Sequence, residues 1–127
     1  MIASSLEAAR DIEHRVLQEV ACQGYSQAAM FAIKLALEEG LNNAIRHGNG
    51  GNSNKTVLVR FEVTPKHTAI RIKDQGRGFD PVSVPDPTAD ENLEKPCGRG
   101  IMLMRAYMDE VRYNRKGNEV YMVKRNT

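Results

Sequence analysis

Partway along the chain, the spacing of the apolar residues changes from helical steps to alternation, and this change constrains the fold more than any other feature. Over Leu6 to Val20 and again over Ile33 to Ala44, apolar residues recur at steps of three or four, the period of an amphipathic helix. Over Thr56 to Val63 they alternate, and Ile70 and Ile72 repeat the alternation a few residues later. We therefore predict two helices followed by a β-hairpin.

The second half of the chain predicts a lid, a third helix and a second hairpin. The region 81–97 contains four prolines and many acidic residues, so we expect a mobile lid without regular structure. A run of good helix formers comes next, and strands at Glu110–Asn114 and Glu119–Lys124 flank a turn in which Gly117 and Asn118 suit positive φ. This order predicts an α+β fold, a two-layer α/β sandwich with helices on one face of a mixed sheet.

Composition restricts the class of protein. A chain of 127 residues has room for one core, so we expect a single domain over 1–127. No apolar run is long enough to span a bilayer or to serve as a secretory signal, and Cys22 and Cys97 are far apart without a metal-binding pattern. The net charge of +2 comes from scattered Lys and Arg, which does not favour nucleic-acid binding. We expect a cytoplasmic protein with free thiols.

The first candidate functional segment is Leu37–Gly48, on the second predicted helix. Glu39 and Asn43 are four residues apart, so their side chains stack on one flank at the border of the buried face. An amide oxygen suits Mg²⁺, a carboxylate can accept a proton, and His47, one turn further, could reach a phosphate. The alternative interpretation is a solvated polar flank, although consecutive asparagines are poor helix formers.

The second candidate segment, Asp74–Asp80, directly follows a predicted strand. An ionised Asp74 only accepts hydrogen bonds and so suits an exocyclic amine such as that of adenine. Gly76 and Gly78 have no Cβ, which lets the backbone approach a base closely. The alternative is an ordinary turn that leaves a strand.

The third candidate segment, Cys97–Met104, places two glycines before a predicted helix. Free N–H groups at a helix N-terminus and the positive end of the helix dipole favour a phosphate. Arg99 could add a charge-assisted hydrogen bond. A helix-capping turn is the alternative, since Gly-x-Gly is common there.

Together and in this order, the three segments resemble the motifs of the Bergerat or GHKL ATPases. The matching residues are Glu39, Asn43, His47 and Gly48 for the N box, Asp74, Gly76, Gly78 and Phe79 for the first glycine box, and Gly98, Arg99 and Gly100 for the second. The similarity extends from about Ala29 to Val123. Within the superfamily, the chain is most similar to the anti-sigma-factor serine kinases, in the proline-rich lid that leads into Gly-Arg-Gly and in the Leu-Met-Arg stretch after it.

This resemblance implies a function and a role for each matching residue. It implies a protein that binds ATP and Mg²⁺, forms a homodimer, sequesters a sigma factor and phosphorylates a serine on a STAS-type antagonist. Glu39 would be the general base, Asn43 the Mg²⁺ ligand and Asp74 the residue that recognises the adenine amine. The adenine pocket would be shaped by Gly76 and Gly78, and the phosphates would meet Gly98, Arg99, Gly100 and Ile101. Asn42 departs from the family, which usually has a small hydroxylated residue there.

Three other functions are compatible with a nucleotide site of this kind. A histidine-kinase catalytic domain would need a phospho-accepting histidine on a dimerising hairpin, which the single helix around His14 does not supply. A binding module that uses nucleotide only as a structural ligand would not need both Glu39 and Asn43. A gyrase-like or chaperone-like ATPase would need transducer domains that 127 residues cannot hold.

Overall fold

The computed structural model describes residues 2–3, 5–50, 54–76, 96–115 and 117–126, which form a helical layer against one sheet. The helices are α1 (Leu6–Cys22), α2 (Gln27–Asn42) and α3 (Pro96–Tyr107), and α2 continues into a π-helical segment at Asn43–Gly48. The strands are β1 (Ile2–Ala3), β2 (Thr56–Val63), β3 (His67–Lys73), β4 (Glu110–Tyr113) and β5 (Glu119–Arg125). The predicted two-layer α+β architecture is confirmed.

Serine side chains define where the first two helices begin. The hydroxyl of Ser5 accepts a hydrogen bond from the Ala8 N–H at 3.2 Å, and that of Ser26 accepts one from the Ala29 N–H at 3.1 Å. Each serine thereby satisfies one of the backbone donors that a helix start leaves without an intrahelical partner. The predicted cap at Ser26 is confirmed.

The predicted apolar faces form the core. Ile33 and Leu37 have no exposed surface and Leu41 keeps 1%, so the stripe along α2 is fully buried. On α1 the stripe is buried from Ala9 to Val20, whereas Leu6 at its start is exposed. These faces pack against the inward residues of the sheet, which include Ile70, Ile72 and Met122. No helix in the described ranges has the length and apolar character that crossing a bilayer requires.

The sheet has the strand order β1-β2-β3-β5-β4, and every strand pair in it is antiparallel. Our prediction of a mixed sheet is therefore wrong for the described strands. The reason is that β5 inserts between β3 and β4, which run in the same direction, so no parallel neighbours form. Antiparallel sheets can leave one face open to solvent. In this sheet the helices cover the opposite face.

Several element boundaries differ from those predicted. Helix α3 begins at Pro96, so the last two residues of the expected lid are helical, and the rest of that lid lies outside the described residues. Proline suits the first helical position because that position needs no N–H donor. Gly117 has the expected positive φ of 78°, but Asn118 does not. The short strand β1 was not predicted, because two residues show no periodicity.

Candidate functional site

Glu39 and Asn43 lie half-buried on one flank of α2, at its junction with the π-helical segment. The wider helical turn is closed by the hydrogen bond from the Asn49 N–H to the Ala44 carbonyl, at 2.8 Å. π-helical segments occur often at functional sites. The prediction placed His47 one regular α-helical turn beyond Asn43, and this is wrong because Asn43–Gly48 is π-helical. The side chain of His47 is exposed.

The electrostatic setting of Glu39 favours proton transfer. Burial raises the pKa of its carboxyl above the ordinary value, and the negative charge of the adjacent Glu38 raises it further. A carboxylate with a raised pKa binds a proton more strongly than an exposed one and is therefore a better general base near neutral pH.

Glu38 also faces a cleft of about 250 Å³ between α1 and α2. There the side chain of Glu13 shares a hydrogen bond with Glu38, and the pKa of Glu13 is raised to about 7. Burial is the largest cause, followed by the charge of Glu38 and this hydrogen bond, while Lys34 acts in the opposite direction. The cleft is lined by Leu6, Ala9, Arg10, Glu13, Glu38, Leu41, Asn42 and Arg46.

We expect Glu13→Gln to stabilise the protein at alkaline pH. The pKa of Glu13 is higher in the folded chain than in the unfolded chain. The folded protein therefore loses stability as pH rises from 4.5 through about 7. The amide removes that loss and can still donate a hydrogen bond to Glu38. After allowance for solvent screening, the gain should be about 1 kcal/mol at pH 8 and absent at pH 4. Urea unfolding at both pH values measures it, with the exposed Glu19→Gln as control, and an equal gain at both would contradict the explanation.

Asp74 is packed between two glycines from different parts of the chain. It directly follows β3 and keeps 8% of its surface exposed. Its Oδ1 accepts a hydrogen bond from the Gly76 N–H at 2.7 Å. A Cβ on Gly48 would overlap the Asp74 carboxylate, and a Cβ on Gly76 would overlap the Gly48 carbonyl and lie 2.9 Å from Asp74 Oδ1. The end of the first predicted motif therefore contacts the start of the second.

Two asparagines that were not predicted as site residues support this contact. Asn49, which is 1% exposed, accepts a hydrogen bond at Oδ1 from the Gln75 N–H at 2.7 Å and donates from Nδ2 to the Thr56 carbonyl at 3.0 Å. Asn118 accepts a hydrogen bond at its carbonyl from the Asp74 N–H at 2.9 Å. In the sequence, Asn49 looks like any other polar loop residue, because only burial distinguishes it.

The remaining predicted residues are less completely described. Gly98, Arg99 and Gly100 lie inside the first turns of α3, so the prediction that the glycines precede the helix is wrong. Only the first residues of a helix keep N–H groups without an intrahelical partner, which favours the Gly98 N–H over those of Arg99 and Gly100 for anion contact. The side chain of Ile101 is 3% exposed and belongs to the core. Gly78 and Phe79 lie outside the described residues.

The residues present fit a Mg²⁺ ion that is bound together with nucleotide. Among the described residues, no three His, Cys, Asp or Glu side chains are grouped to hold a metal ion by themselves. A single amide oxygen from Asn43 would instead be completed by phosphate oxygens and water, an arrangement common for Mg²⁺.

Comparison with known proteins shows the family to which the chain belongs. The chain matches the histidine kinase-like ATPase domain family over residues 2–124. It therefore belongs to that family. Because the family is one of ATPase domains, the chain is expected to bind ATP.

Its relatives include anti-sigma-factor serine kinases, which confirms the resemblance described above. The chain is 32% identical over 111 residues to the serine-protein kinase RsbW of Bacillus subtilis, a match that covers 80% of this chain and 68% of the relative. It is 30% identical over 99 residues to the anti-sigma F factor of Clostridium novyi, covering 73% and 68%. The serine-protein kinase RsbW of Oceanobacillus iheyensis is 27% identical over 106 residues, covering 79% and 67%.

Proposed function

We propose that this protein is an ATP-dependent serine kinase that sequesters a sigma factor and phosphorylates a serine on a STAS-type antagonist. The observation that carries the proposal is the half-buried pair of Glu39 and Asn43 on a helix whose end, at Gly48, packs directly against Asp74. A carboxylate for proton transfer and a carboxylate for base recognition thereby lie on two segments that are in direct contact. The names of the relatives support the same activity.

Asp74 is proposed to recognise the adenine amine. The Gly76 N–H occupies one of the roughly four acceptor sites of the carboxylate, which only accepts hydrogen bonds when ionised and so matches an amine donor. Asn118 and Gly76 hold the backbone on both sides of Asp74, which orients the carboxylate before a ligand arrives. Gly76 and Gly78 are proposed to let the backbone approach the base.

Glu39 is proposed to accept the proton of the substrate serine as its oxygen attacks the γ-phosphorus of ATP. The P–O bond to the β-phosphate breaks as the new bond forms, and ADP leaves. When bound, Mg²⁺ supplies neutralisation of phosphate charge, and Asn43 is the residue proposed to hold it. The phosphates are proposed to contact His47 and four residues near the start of α3, which are Gly98, Arg99, Gly100 and Ile101.

Phosphoryl transfer to an antagonist tests the function directly. Purified protein is incubated with γ-labelled ATP, Mg²⁺ and a candidate STAS-type antagonist, and in parallel with a variant of that antagonist in which the exposed serine is alanine. We expect label on the first and none on the second, with ADP formed in equal amount. Nucleotide-dependent binding without label on either protein would support a non-catalytic binding module, and label on a histidine would support a histidine kinase. We also propose that the protein is a homodimer, as the family resemblance implies, and sedimentation tests this.

Nucleotide selectivity tests the adenine site separately. Guanine presents a carbonyl where adenine presents its amine, so GTP would place two acceptors against each other at Asp74. We expect GTP to bind more weakly than ATP by up to about 10⁴. We also expect Asp74→Asn to weaken ATP binding with little change in the far-ultraviolet circular dichroism spectrum. Calorimetric titration measures both affinities, and equal values for the two nucleotides would remove Asp74 from this role.

A further inference from the structure

The outer face of the sheet, opposite the helices, carries a row of basic side chains around one tyrosine. Strand pairing aligns Arg60 with Arg71, Arg71 with Tyr121, and Tyr121 with Arg112, across β2, β3, β5 and β4. Alternate residues of β3, such as Ile70 and Ile72, are buried under the helices, so residues of the opposite parity point outward. We call Arg60, Arg71, Tyr121 and Arg112 the basic row. With strands about 4.8 Å apart, it is about 14 Å long.

Contacts with Tyr121 and with two glutamates hold two of the three guanidinium groups of the basic row in place. The guanidinium of Arg71 stacks on the Tyr121 ring at 4.4 Å from the centroid, and that of Arg112 lies 5.6 Å from the same centroid. Arg71 also pairs with Glu119 at 3.3 Å, and Arg112 with Glu110 at 2.7 Å. Stacking restricts the two arginines without neutralising them, and both side chains remain more than half exposed.

Two further cations on this face are Arg60 and Lys73, the second of which lies directly across from Glu119 in the strand register. Arg60 lies at one end of the basic row, and Lys73 lies two residues from Arg71 on the same face of β3. Neither has an ion pair with any residue that the structure describes. Together with Leu58, Arg71 and Glu119 they line a shallow cleft of about 340 Å³. Three cations and one carboxylate, already paired with Arg71, leave this cleft positively charged.

The surroundings of the cleft indicate what kind of anion fits. Glu62 and Glu110 stand at the ends of the neighbouring cross-strand row, with Ala69 and Val123 between them. A continuous polyphosphate would meet these carboxylates, whereas a protein segment with alternating acidic and apolar side chains can avoid them and contact the apolar pair. Arginine also binds carboxylates through two parallel hydrogen bonds.

We propose that the basic row and Lys73 form a docking surface for an acidic, extended segment of a partner protein. This surface is separate from the proposed nucleotide site, because Asp74 follows the inward-facing residues of β3 while Lys73 points outward. We therefore expect docking here not to depend on ATP, and it goes beyond the kinase activity proposed above.

A labelled eight-residue peptide of alternating Glu and Val tests the surface by fluorescence anisotropy at low salt. We expect it to bind the wild-type protein, and the double variant Arg60→Gln/Lys73→Gln to bind it about tenfold more weakly. The control Lys66→Gln/Arg105→Gln removes the same charge at exposed positions elsewhere and should change the affinity by less than about twofold. Added ATP and Mg²⁺ should have no effect. A peptide of alternating Lys and Val should not bind.

Four results would overturn the proposal. The first is equal peptide affinity of the wild type and the Arg60→Gln/Lys73→Gln variant, and the second is an equal loss of peptide affinity in the control variant. The third is tighter binding of a single-stranded DNA 12-mer than of the acidic peptide. The fourth is a change in oligomeric state of the Arg60→Gln/Lys73→Gln variant on sedimentation. The last would mean that a second copy of the chain covers this face. Urea unfolding of each variant verifies that all are folded.

Discussion

Glu39→Gln should lower the rate of phosphoryl transfer by about 10² to 10⁴ while leaving ATP and partner binding intact. The amide keeps the shape of the carboxyl but cannot take the serine proton, and a serine hydroxyl is a weak nucleophile without a base. Single-turnover transfer of labelled phosphate to the antagonist measures the rate, and calorimetry measures ATP affinity. Asn43→Ala should behave differently and weaken Mg²⁺-dependent nucleotide binding as well as transfer.

Glu38→Gln is the matched control, because it makes the same chemical change one residue earlier on the same helix. It should keep most of the transfer activity. Because the charge of Glu38 contributes to the raised pKa of Glu39, its removal should lower that pKa and move the acid limb of the pH–rate profile to lower pH. Near-normal transfer by Glu39→Gln, or an equal loss in Glu38→Gln, would show that Glu39 is not the base.

Gly76→Ala should both destabilise the protein and disable its nucleotide site. The added methyl group would overlap the backbone carbonyl of Gly48, and backbone cannot move aside as a flexible side chain can. We expect a loss of about 3 kcal/mol in the free energy of unfolding, from overpacking at a site that cannot relax. Displacement of the Asp74 carboxylate by about 1 Å should in addition weaken ATP binding by about 10².

Gly40→Ala is the control for this substitution. There the new methyl group would lie 2.8 Å from Ile72 Cδ1, the end of a side chain that can adjust, and alanine favours the helix by about 1 kcal/mol over glycine. The expected loss is accordingly small. Urea unfolding and calorimetric ATP titration of both variants separate the two effects. If Gly76→Ala unfolds at the same urea concentration as the wild type, the close contact between Gly48 and Gly76 is not essential.

The order and type of the long elements were predictable from sequence. Helical periodicity placed Ile33, Leu37 and Leu41 on one buried face, and alternation placed Ile70 and Ile72 in a strand that ends before Asp74. These predictions succeed because periodicity is a local property that each segment carries independently of its neighbours. The three motifs, read together, also indicated the family.

The details that build the candidate site were decided by tertiary structure. Neither the insertion of β5 between β3 and β4 nor the contact of Gly48 with Asp74 follows from local periodicity, because both join segments far apart in the chain. The same holds for the burial of Asn49 and for the start of α3 at Pro96.

By itself, then, the sequence determined which of the long segments are helices and strands, which faces they bury, and which residues are candidates for chemistry. The tertiary structure alone decided the raised pKa of Glu39, which depends on burial, and the alignment of Arg71 and Arg112 on Tyr121, which depends on strand register. Periodicity acts between residues a few positions apart, whereas burial and register depend on contacts between distant segments that form only when the whole chain packs.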